Sequence, residues 1–215
     1  MTTCDQLIVL RYTKIKDTAL VIHAISRDRG RRSYVVHLGK GTSLAMFQPL
    51  SVVEADISDN PKSELSRARN FTQLLPLISI REDPRKNSMV LFLSEVLYRS
   101  IKDGSREDGL FEWCAKSIAT LEELQTGYAN YHLLFLLQLA GMLGFAPSSE
   151  GLAPFAGERL RQIQSLLGLP FAEALLLPLS GRERSEICDS IIRYISHHSE
   201  SALDIRSLRI LHELL

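Results

Sequence analysis

ALVIHAISRDRGRRSYVVHL, residues 19–38, holds two runs rich in Val, Ile and Tyr, Ala19 to Ile25 and Tyr34 to Leu38, on either side of Arg27-Asp28-Arg29-Gly30. Short apolar runs bounded by charged and turn-forming residues read as β-strands. Gly30 supplies a residue able to take positive φ, which a tight hairpin connection usually requires. The stretch is expected to be a β-hairpin.

Leu7 to Leu10 before it and Leu50 to Ile57 after it read as further strands, and Glu64 to Leu74 as a possible fifth. Gly39-Lys40-Gly41-Thr42-Ser43 and Asp59-Asn60-Pro61-Lys62 break the chain between them. Five short strands suggest a small barrel. After Pro84 the apolar period lengthens toward 3.6 residues: Val90, Leu93, Val96, Leu97 and Ile101 recur at helical spacing, as do Phe111, Cys114, Ile118 and Leu121. Further helices are expected at Tyr128 to Leu143, Gly157 to Leu166, Arg182 to Ser196 and Ile205 to Leu214, separated by Pro147, Pro154, Pro170 and Pro178. Strands followed by helices argue for an α+β chain or for separate domains, because a parallel sheet needs the two to alternate. The expected boundary lies near Ile80 to Pro84, with a barrel over residues 1–80 and an all-helical domain over residues 81–215.

The charge is divided along the same line. Residues 1–40 hold eight Lys/Arg against three Asp, a net +5, and the rest holds 17 Lys/Arg against 22 Asp/Glu, a net −5. A polyanion meets the head first. The eight cations are Arg11, Lys14, Lys16, Arg27, Arg29, Arg31, Arg32 and Lys40. A five-stranded Greek-key barrel with a basic face has the layout of an OB-fold, which binds single strands by tracking phosphates and stacking bases on aromatic rings. Tyr12 and Tyr34 are the candidate rings; the alternative is that Tyr34 packs inside the barrel and Tyr12 closes a loop. Four arginines between Arg27 and Arg32 offer planar forks matched to phosphate oxygens, and each neutralised phosphate releases counterions.

Other chemistries find less support. Gly39 to Ser43 lacks the order of a Walker A loop, since Gly follows Lys. His197-His198 on a helix point about 100° apart, and neither they, His132 nor His212 has a partner at ligand spacing. Cys4, Cys114 and Cys188 are far apart and odd in number, which supports neither a disulfide framework nor a Cys4 zinc site and suits a reducing cytosol. Cys114 and Cys188 sit on apolar helical periods as small hydrophobes. Glu122-Glu123, Glu54 with Asp56, and Asp103 with Asp108 lack the further Lys or carboxylate of a metal-dependent nuclease. Leu7 to Leu10 is too short for a signal-peptide core, and Tyr131 to Phe145, about fifteen residues, falls short of the ~20 needed to cross a bilayer, so it reads as a buried helix. The chain is expected to be cytoplasmic, with no membrane partner and no enzyme activity.

The order of the pieces resembles the bacterial RecO recombination mediators. It is carried by Ile8-Val9-Leu10-Arg11, by the basic turn before Tyr34-Val35-Val36, and by Phe47-Gln48-Pro49-Leu50-Ser51-Val52-Val53-Glu54 opening the fourth strand. In the helical half it is carried by Leu91-Phe92-Leu93-Ser94-Glu95-Val96-Leu97-Tyr98, Gly109-Leu110-Phe111 and Leu143-Gly144-Phe145-Ala146-Pro147. The tail, Arg193 to His198 and Arg206 to Leu211, is similar to the closing helices of some members. Two departures stand out. Many members carry four cysteines after the position of Pro147, where this chain has Ser148, Ser149 and Gly151, so no zinc is expected. The often long, basic loop after the third strand is here only Gly39 to Ala45 with Lys40. The resemblance implies a nucleoid-associated protein that binds single- and double-stranded DNA and anneals complementary strands. It would work with RecR to place RecA on strands covered by single-stranded-DNA-binding protein, whose acidic C-terminal tail meets the helical body. The rival is a protein-interaction scaffold whose basic head docks an acidic partner.

Overall fold

A computed structural model of the chain describes residues 2–39, 43–59, 65–199 and 202–214. They fall into two compact units, Met1–Ile78 with Ile101–Ala119, and Ser79–Ser100 with Thr120–Leu215.

The first unit is built on five strands, β1 (Thr2–Lys16), β2 (Ala19–Ser26), β3 (Gly30–His37), β4 (Val52–Ser58) and β5 (Ser66–Gln73). They close into a barrel in the order β1-β2-β3-β5-β4, antiparallel except where β3 meets β5. This is the OB-fold expected from the sequence. The hairpin stands where residues 19–38 place it, with Ser26 opposite Gly30 and Gly30 at φ +68°. A second constraint also acts on Gly30: a Cβ there would collide with the carbonyl oxygen of Ser105, whose backbone runs beside the start of β3. Arg31 N–H donates to Ser105 O at 2.9 Å and Gly104 N–H to Arg31 O at 2.9 Å, so residues 101–119 belong with the barrel although they lie beyond the switch to helices.

Period-two alternation puts Leu7, Val9, Leu20, Ile22, Tyr34, Val36, Val53 and Ile57 inside the barrel. Phe47, expected at the opening of the fourth strand, instead sits in a short 3-10 helix, Leu44–Phe47, capped by Ser43. Its ring enters the barrel core and meets Phe71 edge-on at 4.8 Å. Asp5 is buried as well, and its carboxylate accepts from Ser26 Oγ at 2.5 Å and from the N–H of Gln6 at 2.8 Å. It thereby ties β1 to the base of the hairpin turn.

The second unit is helical. It comprises α1 (Ile78–Glu82), α2 (Pro84–Ser100), the end of α3 (Leu110–Glu123), α4 (Tyr131–Met142), α5 (Ser149–Ala156), α6 (Leu160–Gly168), α7 (Phe171–Leu175), α8 (Gly181–His198) and α9 (Leu208–Leu214). α4 is apolar nearly all round and correspondingly buried, as its sequence requires. α8 starts where Ser180 and Glu183 form a capping box. Sequence periodicity does not predict α5 or α7: each is short and begins beside or contains a proline, so neither leaves a readable period. No helix among the described residues is long and apolar enough to cross a membrane.

Candidate nucleic-acid interface

Side chains that point out of the barrel form the site. Arg11 on β1 faces His23 on β2, which faces Ser33 on β3, and Arg31 is the next outward residue along β3. His23 Nδ1 lies 2.8 Å from Ser33 Oγ. Burial, then the charges of Arg11 and Arg31, hold the imidazole below its ordinary pKa, with Asp103 acting in the opposite sense.

On the other side of Ser33 along β3, Val35 pairs with Arg67 on β5, and Arg69 follows two residues later on the same outward face, with Ala68 turned inward between them. Arg67 and Arg69 are both exposed. Charge composition does not single them out, because they lie in the net-acidic remainder of the chain. The signal that could have found them is the Arg-Ala-Arg alternation within the fifth strand, which turns both cations to one side. The wall bearing these residues is formed by β1, β2, β3 and β5.

The other expected residues are placed differently. Lys14 and Lys16 lie at the exposed end of β1, with Lys14 3.6 Å from Asp17 in a solvent-exposed pair. Arg27 is paired with Glu112 at 3.1 Å and Arg29 with Asp59 at 2.8 Å. Arg31 is half-buried and donates to the carbonyl of Ile101 at 2.6 Å, so it braces the segment beside β3 as well as charging the wall. Arg32 is exposed and helps line a groove of about 640 Å³ with Arg29, Arg106, Asp28, Asp59 and Asp103. That groove holds three arginines against three aspartates and has no net charge. The arginines of the turn are therefore not the single cluster that their spacing suggests. Lys40 lies outside the described residues.

Tyr34 does not serve as a stacking ring, contrary to one of the two expectations for it. Its ring is fully buried in the barrel core, where burial pushes the phenol up to about 12, and it cannot present a face to a base. Tyr12 is the ring left in reach of solvent, at 40% exposure.

Cys4 is exposed, while Cys114 and Cys188 are buried and their thiols are pushed up by desolvation. Among the described residues no three His, Cys, Asp or Glu side chains are grouped to hold a metal ion.

A closed five-stranded barrel with outward-facing arginines, followed by a helical unit, defines an OB-fold protein of the α+β class. The family model for the N-terminal part of recombination protein O matches residues 1–74, and that for its C-terminal part matches residues 81–151. The chain belongs to the RecO family. It is 27% identical over 232 residues to the DNA repair protein RecO of Phocaeicola vulgatus, covering 96% of each chain. To the DNA repair protein RecO of Flavobacterium psychrophilum it is 26% identical over 230 residues, again 96% of each. To that of Porphyromonas gingivalis it is 32% identical over 160 residues, 70% of this chain and 64% of the relative.

Proposed function

We propose that this chain is a DNA repair protein that binds DNA through the outer wall of its barrel, anneals complementary strands, and makes or breaks no covalent bond. In this reading it works with RecR to place RecA on strands covered by single-stranded-DNA-binding protein, in the cytoplasm at the nucleoid. Residues 1–80 carry the nucleic acid and residues 81–215 meet protein partners, including the acidic tail of the single-strand-binding protein. Family membership supports the repair role. The outward-facing cations Arg11, Arg31 and Arg67, spread around His23 and Ser33 on one wall, carry the DNA-binding part.

Annealing needs a surface that lowers the repulsion between two phosphate backbones without gripping the bases so tightly that pairing is blocked. A wall of outward arginines on β-strands meets that need: the side chains reach phosphate oxygens through planar forks, and none of Arg11, His23, Ser33, Arg31 and Arg67 is a Phe, Tyr or Trp that would hold a base. Lys14, Lys16, Arg29 and Arg32 extend the positive surface toward the ends of the barrel.

The test is fluorescence anisotropy with labelled single strands and duplexes across a salt series. Arg11→Ala with Arg67→Ala should weaken binding to every sequence and shallow the slope of log K against log salt by roughly 0.7 for each single-strand phosphate no longer neutralised. Both positions are exposed, so folding should be unaffected. Unchanged affinity and slope would remove this wall from the reading.

A further inference from the structure

The turn between β2 and β3 carries two arginines that are held by carboxylates from other segments. Arg27 Nε donates to a carboxylate oxygen of Glu112 at 3.1 Å, and its Nη1 donates to the side-chain oxygen of Gln6 at 3.2 Å. Arg29 donates to Asp59 at 2.8 Å and to Thr3 Oγ1 at 2.9 Å. Gln6 and Thr3 are both on β1, so each guanidinium is fixed at two points, one neutral and one acidic.

Both carboxylates are themselves held in place. Glu112 stands in the first turn of α3, where the helix dipole favours a negative charge. The segment leading into α3 is pinned beside the turn by the backbone bonds that Arg31 makes with Gly104 and Ser105. Asp59 follows β4 and also accepts from Ser66 Oγ at 2.7 Å. That bond, then the one from Arg29, holds its carboxyl below the ordinary carboxylate value.

The two pairs remain open to exchange. Arg27 and Glu112 keep 50% and 56% of their side chains in solvent, and Arg29 and Asp59 keep 27% and 65%. Exposed ion pairs are worth little, so a phosphate can take such an arginine over. The displaced carboxylate stays nearby and repels the phosphate that replaced it. A phosphate at Arg27 or Arg29 therefore exchanges one anion for another. It gains less there than at Arg67, which no carboxylate holds among the described residues.

We propose that Glu112 and Asp59 set the affinity for DNA: they hold Arg27 and Arg29 in reserve, so that the turn takes phosphates weakly and returns them. This rests on the DNA-binding reading above and adds the residues that limit its strength. The arginine wall attracts the backbone; the clamped turn keeps a strand exchangeable, as pairing with a complementary strand requires.

Anisotropy titrations of the full chain with a labelled thymidine oligonucleotide and with a labelled hairpin duplex, across a salt series, test the proposal. Glu112→Gln should tighten binding to both substrates by up to about fivefold, the equivalent of releasing one exposed ion pair. It should also steepen the single-strand slope of log K against log salt by roughly 0.7. Asp59→Asn should act likewise through Arg29, so a clamp on a second segment is tested independently of the first. Removing an acid raises the net charge wherever it sits, and a double-mutant cycle separates that effect from a clamp. Arg27→Ala should weaken binding more in the Glu112→Gln background than in the wild type, and without Arg27 the gain from Glu112→Gln should vanish. Melting midpoints equal to the wild type establish that these surface variants fold. Equal gains with and without Arg27, or unchanged affinity and slope in both acid variants, overturn the clamps while leaving the arginine wall intact. Wild-type protein that binds neither substrate overturns the DNA-binding reading and the clamps with it.

Discussion

Single residues in this protein meet constraints of different origin. Gly30 is readable from sequence as a turn residue, but the turn is half of its role, because the backbone of Ser105 occupies the space a Cβ would need. Gly30→Ala combines a positive-φ penalty with a backbone collision, and it should destabilise the first unit by about 2 kcal/mol or more, read from urea unfolding. His132 offers no sequence signal beyond its place in an apolar helix. Burial, with Arg184 and His212 nearby, holds its imidazole down to about 3. The folded chain leaves His132 neutral where the unfolded chain protonates it, so stability is full above about pH 6.5 and falls as pH drops below that value. At pH 5.5 the destabilisation should be about 1.4 kcal/mol relative to pH 7.5, and His132→Leu should remove that difference from the urea midpoints.

Elements are legible in proportion to their length and the regularity of their period. The five strands and the longer helices stand close to where alternation and helical spacing put them. β1 exceeds its apolar run, from Thr2 to Lys16 rather than Leu7 to Leu10, because its largely polar ends are recruited by pairing, Thr2 to Gln6 with β4 and Arg11 to Lys16 with β2. α9 illustrates the same limit at the other terminus. It is a short helix, and its first turn is capped by Glu95 on α2, which accepts from the backbone N–H of Ser207 at 2.9 Å and of Arg206 at 3.1 Å and from Ser207 Oγ at 2.7 Å. Burial acts to raise the carboxyl pKa of Glu95, but the bonds from Ser207, Arg206 and Arg99 outweigh it and hold the group below the ordinary carboxylate value. A depressed carboxylate stabilises fully above the unfolded value, about 4.3, and that contribution disappears as pH falls through the folded one. Amide protection factors in α9, relative to the intrinsic exchange rate at each pH, should therefore fall on acidification below about pH 4.3. Glu95→Gln should raise exchange there already at neutral pH and flatten the pH dependence; unchanged protection would show that the cap contributes nothing.

At the scale of the whole molecule, the three cysteines report on the two units separately. Cys4 is exposed, Cys114 lies buried in the first unit and Cys188 in the second. A thiol reagent should label Cys4 at once under native conditions and reach Cys114 and Cys188 only as their units open in denaturant. Rapid labelling of all three in native buffer would contradict this packing. Neutral overall charge is likewise a whole-molecule property that conceals its parts, a basic head balanced by an acidic remainder.

The sequence alone determined the hairpin, the barrel, the change from strands to helices and the basic bias of the first forty residues, because period, turn chemistry and charge are local properties of the chain. Which cations share a surface was decided only by the tertiary structure. Strand pairing brings Arg67 to the wall of Arg11 and Arg31, carboxylates from distant segments meet Arg27 and Arg29, and closure of the barrel draws Tyr34 inside while a bulge at Leu10 turns the end of β1 out. A side chain's neighbours across a barrel depend on register between segments tens of residues apart, and no pattern within one segment encodes that.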